Sequence, residues 1–351
     1  MKVAFRCDAS LLIGTGHVMR CLSFAEFLRA RGHDVVFVVR HILPGLQQLL
    51  LDKDFSLVHL PATKEPYSAA AEYGHWLGVS EETDAAQTLT MINDIDWFVV
   101  DHYGIGSVWE NAVATRIKHV LAIDDLVNRP HVCQLVVDPN VARVATVESD
   151  STVLSGADYA FIRSEFLNMR AQADIRQQVD TVLLFFGGVD SKNMTMMALQ
   201  AVTPLLDAGV IKKVVVVLGQ ASPNRAEVET YCVDPAIELH IQTNKMAELM
   251  IQADVIIATA SSANWERCVT GTPALLCVVA DNQIAIAQEA ARARSGINLG
   301  LAEDLTAELI CNALKPLLDF PELVSTMSEN AFAACDGQGC RRVCDWMEAA
   351  V

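Results

Sequence analysis

The strongest constraint on the fold is a series of short, continuously apolar runs, separated by helical or polar stretches, that recurs along the whole chain. In the first half they are Lys2–Phe5, Val35–Val39, Ser56–Leu60, Trp97–Asp101, Val120–Asp124 and Leu135–Asp138. In the second half they are Thr181–Phe186, Lys212–Gly219, Ile237–Ile241, Asp254–Thr259 and Pro273–Val279. A strand that is apolar at nearly every position is covered on both faces, and strands alternating with helices build parallel sheets. The expected fold class is therefore α/β, with two doubly wound units. Length agrees, because 351 residues divide naturally into two domains of roughly 150 to 200 residues. The expected boundaries are 1–170, 171–321 and a helical segment 322–351. That segment is interrupted at Asp336-Gly337-Gln338-Gly339 and is expected to pack back across the first domain.

No apolar run reaches the roughly 18 residues needed to span a bilayer, and the start MKVAFRCD lacks the features of a secretion signal. A soluble cytoplasmic protein is expected. Ten cysteines are scattered through apolar segments, as small core residues of a reduced protein are. The cluster Cys335, Cys340 and Cys344 matches no metal-ligand spacing. A net charge of −17 argues against nucleic acid or an anionic membrane as partner. An anionic small ligand stays open, since a few backbone amides and local arginines can hold it.

Chemistry concentrates where strands end. Asp101, Asp124 and Asp138 close three strands at the edge where the crevice of such a sheet lies. The polar stretch Pro61–Thr83, with Tyr67, Tyr73, His75 and Trp76, either borders a ligand or is ordinary surface. In RCDASLLIGTGHVMRC (Arg6–Cys21) a strand passes through a turn with Gly14 and Gly16 into an amphipathic helix that opens at His17. Free N–H groups and the positive helix end favour an anion there and disfavour a protonated imidazole, which suits a general base. A dinucleotide fingerprint needs a third glycine where Met19 stands, which argues against NAD. Asp8 either orients His17 or stabilises the loop. Arg6 and Arg20 are either electrostatic aids or structural, and Asp101 and Tyr103 are placed to contact a ligand.

In the second half Gly187 and Gly188 follow a strand and precede a helix, a weak signal for an anion cradle. ATASSANWER (Ala258–Arg267) is more informative. Ser262 is well placed as a helix N-cap, yet Ser261, Ser262, Asn264 and Glu266 also face the strand-end crevice. A carboxylate at Glu266 suits two ribose hydroxyls, and Asn282 and Gln283 follow the next strand at the same edge.

RCDASLLIGTGHVMRCL, VVDHYGI (Val99–Ile105), FFGGVD (Phe185–Asp190), NWERC, ADNQ and DGQGCRRV (Asp336–Val343) together carry a resemblance over essentially the whole chain. The sequence resembles the UDP-sugar hydrolases of pseudaminic acid biosynthesis, relatives of glycosyltransferases of the B fold. This resemblance implies two Rossmann-like domains with a cleft between them, UDP on the C-terminal domain and sugar on the N-terminal one. It implies His17 as the base for water and Glu266 as the ribose ligand. Where family members often carry a glycine before the serine, this chain has Ser261, whose side chain crowds a phosphate there. The implied reaction is attack of water on the anomeric carbon of a UDP-linked 2,4-diacetamido-2,4,6-trideoxy-L-altrose with inversion. UDP is a good leaving group, so neither a metal nor another cofactor is expected. Two rivals remain open: a glycosyltransferase with an acceptor in place of water, and a nucleotide-sugar binding protein without turnover.

Overall fold

The structure is a computed structural model that describes residues 1–63, 73–126, 128–140, 151–220 and 222–351. Tyr67 lies outside the described residues. The chain forms two compact units, one of residues 1–163 and 338–351, the other of residues 164–337.

The first unit is a seven-stranded parallel sheet. Its strands are β1 (Lys2–Cys7), β2 (Asp34–Val39), β3 (Ser56–His59), β4 (Trp97–Asp101), β5 (His119–Ile123), β6 (Leu135–Asp138) and β7 (Thr152–Ser155), in the order β3-β2-β1-β4-β5-β6-β7. Order reverses between β1 and β4, where the two strands pair directly with Cys7 opposite Asp101. Because side chains alternate along a strand, each strand feeds two cores. Val3, Phe5, Cys7, Trp97, Val99, Leu121 and Ile123 pack on one face with the helices Gly16–Ala30 and Gly339–Ala350. Ala4, Phe98, Val100, Val120 and Ala122 pack on the other, with the helices Glu81–Met91 and Ser107–Ala114. The last helix buries Cys340, Val343, Cys344 and Met347, a three-and-four spacing that lays one stripe on the first core.

The second unit is a six-stranded parallel sheet of β8 (Thr181–Phe185), β9 (Lys213–Leu218), β10 (Ile237–Ile241), β11 (Val255–Thr259), β12 (Ala274–Val278) and β13 (Gly296–Leu301). Its order is β10-β9-β8-β11-β12-β13, with the reversal between β8 and β11. Val324 and Met327 of the helix Pro321–Ala334 join this core. Only the chain after Gly337 returns to the first unit, so the segment expected to begin at 322 divides between the two. Cys335 is correspondingly in the second unit, whereas Cys340 and Cys344 are in the first core. Among the described residues no helix is long and apolar enough to cross a membrane.

Candidate active site

Ligands of doubly wound sheets bind at the carboxyl ends of the strands that flank the reversal of order. In the first unit those ends are the loops after β1 and β4. After β1, the Ser10 hydroxyl accepts from the backbone N–H groups of Leu12 and Ile13, at 3.2 and 3.0 Å. Gly14 donates back to the Ser10 carbonyl and takes φ 80°, a left-handed conformation that glycine adopts without strain. The helix starts at Gly16, and Thr15 caps it without a side-chain hydrogen bond. His17 therefore stands in an uncapped first helical turn and is 6% exposed.

Asp101 is the residue that meets it. Trp97 and Val99 face the helix Gly16–Ala30, and Asp101, two residues on, continues that face at the end of β4. Its Oδ1 lies 2.6 Å from His17 Nδ1, and Arg20 donates to both oxygens, Nε to Oδ2 at 2.6 Å and Nη2 to Oδ1 at 2.7 Å. Cys21 Sγ donates to Oδ2 at 3.5 Å. Burial alone would raise the Asp101 carboxyl, but the Arg20 charge, then His17, outweigh it and hold the group well below the usual carboxylate range. An ionised Asp101 can only accept, so His17 Nδ1 is the donor of this hydrogen bond, and in a neutral imidazole that tautomer places the lone pair on Nε2.

Arg20 reaches a second carboxylate. Its Nη1 donates to Asp125 Oδ2 at 2.7 Å, while the Tyr103 hydroxyl donates to Asp125 Oδ1 at 2.6 Å and Asn140 Nδ2 to Oδ2 at 3.1 Å. The Tyr103 ring stands edge-on to the His17 imidazole, with centroids 4.5 Å apart. Asp125 and Asn140 were not among the residues singled out from the sequence. Asp125 has the parity of Leu121 and Ile123, and that alternation was the signal available for it.

Several expected roles change. Asp8 does not orient His17. It follows the face of Ala4 and Arg6, opposite the helix that carries His17, and is held there by Arg6 Nη1 at 2.8 Å and Nη2 at 3.1 Å. The backbone N–H of Arg40, at 2.7 Å, and of His41, at 3.2 Å, also donate to Asp8, so it fixes the loop ends after β1 and β2. Arg6 is itself buried between Asp8 and Asp84, a structural pair. Asp101 is fully buried, so it supports His17 where direct contact with a ligand was expected, while Arg20, as exposed as His17, holds Asp101 and Asp125 in place. Asp124 turns to the opposite face, where His131 bridges it to Glu110, Nε2 at 3.1 Å and Nδ1 at 2.5 Å. Burial would push His131 down, but the hydrogen bonds to Asp124 and Glu110 raise it to about 9.

In the second unit the loops after β8 and β11 hold Gly187, Gly188, Ser261 and Ser262. Ser262 is the N-cap residue of the helix Ala263–Val269, as expected, but makes no side-chain capping bond to it. Glu266 is half-buried on that helix. Asn264, expected to bind a ligand, is buried and accepts at Oδ1 from Arg267 Nε at 2.9 Å. Arg267 in turn donates to the Thr272 and Ser295 carbonyls at 3.0 and 2.9 Å and fastens this helix to the start of β13. Asn282 and Gln283 are half-buried after β12, and Gln283 Oε1 accepts from the Val279 N–H at 2.9 Å. An acidic residue, Asp190, satisfies the amides of Met194 and Thr195 at the start of the helix Met194–Asp207. Of the amides near Gly187, those two are thus not left for an anion.

Two doubly wound units, each with polar residues at its order reversal, define a protein of the glycosyltransferase B architecture, shared with solved glycosyltransferases. Residues 181–338 match the glycosyltransferase family 28 C-terminal domain. The chain is 27% identical to the UDP-2,4-diacetamido-2,4,6-trideoxy-beta-L-altropyranose hydrolase of Campylobacter jejuni, over 75% of this chain and 86% of that protein. It is 26% identical to the spore coat polysaccharide biosynthesis protein SpsG of Bacillus subtilis, where the match spans only 58% of the relative's length and 56% of this chain. Among solved structures, S. aureus MnaA with UDP superposes with a TM-score of 0.66 at 14% identity, over 99% of this chain and 96% of that one. The family resemblance carried by the sequence motifs therefore extends to a curated relative over most of its length.

Proposed function

We propose that this protein is an enzyme that hydrolyses a UDP-linked diacetamido-trideoxy sugar at its anomeric carbon, releasing UDP and the free sugar. The observation that carries the reading is the buried Asp101–His17 pair, which leaves Nε2 of His17 as a base for water at the first unit's strand ends. Water attacks the anomeric carbon as Nε2 takes its proton, and the C–O bond to the diphosphate breaks with inversion. The departing diphosphate carries its own negative charge, so no acid on the protein has to protonate it. Asp101 stabilises the imidazolium that forms, and Arg20, shared with Asp125, keeps Asp101 ionised and in place. The nucleotide half is assigned to the second unit, with Glu266 on the ribose and the backbone at Gly187, Gly188, Ser261 and Ser262 near the phosphates. Asn282 and Gln283 complete that side. The similarity to the Campylobacter hydrolase supports the substrate class, and UDP in the MnaA structure fits the assignment of the nucleotide.

The family 28 match favours one second reading, transfer to an acceptor hydroxyl. Incubation with the UDP-sugar in 18O-water separates the two. Hydrolysis releases UDP without acceptor and places the label on the sugar. Label in UDP refutes attack at the anomeric carbon, and release that requires an acceptor refutes the hydrolytic reading.

A further inference from the structure

The chain has five tryptophans and five tyrosines, and one tryptophan and two tyrosines gather beside His17. The Tyr103 ring packs against His17 on one side. Tyr73 meets it edge-on with centroids 5.1 Å apart, and Trp76 lies 5.8 Å away at a shallow 35°. Tyr73 and Trp76 also contact each other edge-on at 4.9 Å. Both belong to the short 3-10 turn Tyr73–Leu77, anchored by Leu77, which is fully buried.

A second observation fixes this turn to the site. At Gly104, next to Tyr103, a Cβ would come within 2.9 Å of the Tyr73 carbonyl oxygen and 3.1 Å of the His102 ring. The absence of a side chain there lets the backbone of the aromatic turn rest directly on the Tyr103–Gly104 corner. Tyr103 is buried, whereas Tyr73 and Trp76 are only half-buried. Partly exposed aromatic residues packed beside a polar group are how binding sites present an apolar wall to a ligand.

We infer that Trp76, supported by Tyr73, is a specificity-determining residue that stacks against the apolar face of the sugar ring and selects a 6-deoxy sugar over its 6-hydroxy counterpart. The inference rests on the proposed UDP-sugar reading and deepens it. A methyl group at C6 loses unfavourable hydration against the indole, whereas a hydroxyl there finds no hydrogen-bond partner on it and discriminates against itself.

The test is binding of the UDP-linked diacetamido-trideoxy sugar, of the same molecule bearing a 6-hydroxyl, and of UDP alone, measured by calorimetry in the His17→Ala background, which lacks the proposed base, with Trp76 intact, Trp76→Ala or Trp76→Phe. Stacking of this kind corresponds to about tenfold in affinity. Trp76→Ala is expected to lose about that factor for the deoxy sugar and with it the preference over the 6-hydroxy compound. Trp76→Phe is expected to recover most of both, and UDP affinity is expected to stay the same in all three, which also reports that the variants are folded. A Trp76→Ala protein that keeps the wild-type preference overturns the inference. Because the readout is binding, wild-type protein that binds these compounds but releases no UDP defeats the hydrolase reading while leaving the wall tested on its own terms.

Discussion

Asp101→Asn is the most informative perturbation, because the proposed mechanism gives Asp101 an electrostatic task and the structure gives it a separable packing one. The first is electrostatic. Asp101 is fully buried, and it accepts from His17 at 2.6 Å and from Arg20 at 2.6 and 2.7 Å. An amide of the same shape removes the negative charge that stabilises a protonated His17, and it can present its NH2 group where Nδ1–H has to donate. The wrong tautomer then points a proton, in place of a lone pair, at the water. Removing a group that orients a catalytic residue typically lowers activity by roughly 10- to 100-fold, and loss of the tautomer pushes toward the upper end, so we expect roughly 100-fold in kcat. The second task is structural. Breaking one partner out of a buried ion pair costs roughly 3 to 5 kcal/mol when the other charge is left alone. Arg20 keeps Asp125 at 2.7 Å, so the lower end, about 3 kcal/mol, is expected here. The assay is UDP release from the UDP-sugar, alongside thermal unfolding and a double mutant with His17→Ala. Since Asp101 acts through His17, the double variant should be no slower than His17→Ala alone. Folded Asp101→Asn protein that turns over within threefold of wild type refutes the tautomer argument, as does a double variant whose losses simply multiply.

The other predictions follow from the same geometry. His17→Ala should lose roughly 100-fold or more in kcat while binding UDP as wild type does, and near-normal turnover removes His17 as the base. Glu266→Ala should raise KM for the UDP-sugar and weaken inhibition by UDP together, by roughly 10- to 100-fold, since a charged hydrogen-bonding partner is lost from both complexes. An effect on kcat alone contradicts the ribose assignment. His131, raised to about 9 between Asp124 and Glu110, gives a pH-dependent stability. A folded pKa above the unfolded value of about 6.5 means that the stabilisation is complete below that pH and disappears as pH rises through 9. The shift corresponds to roughly 3 kcal/mol, so the unfolding temperature should fall from pH 6.5 to 9 in wild type. In His131→Gln the stability should be lower at pH 6.5 and the slope in that window lost. A wild-type protein whose unfolding temperature stays flat over that window is incompatible with the buried imidazolium.

How much of this was legible in the sequence depends on which physical signal each residue leaves. Strands covered on both faces leave a plain one, and eleven of the apolar runs correspond to strands of the two sheets. The two strands without such a run are β7 and β13, each at the end of its sheet. β7, TVLS, is short and only half-buried, while β13, GINLGL, carries two glycines, so neither needs a continuous apolar run. His17 and Asp101 were each singled out in the sequence, but their pairing was not legible there. Asp8 is nine residues from His17 and Asp101 is 84, so nearness in sequence favoured the wrong carboxylate. Parity decides it. Cys7 and Asp101 are opposite each other in the β1–β4 register and share the face that meets the helix Gly16–Ala30, whereas Asp8 is one residue out of phase and turns to Arg6. The same rule separates Asp125, which meets Arg20, from Asp124, which meets His131. Arg267 and Asn264 left no such signal. Both lie in a polar helix opening that reads as a binding motif, where they pair with each other, and the further partners of Arg267, Thr272 and Ser295, are placed by the turns into β12 and β13, which periodicity along the chain does not specify. Alternation along a strand thus assigns each strand-end carboxylate to a face before any coordinates are known, while the partners it finds there depend on helix register, which only the folded chain supplies.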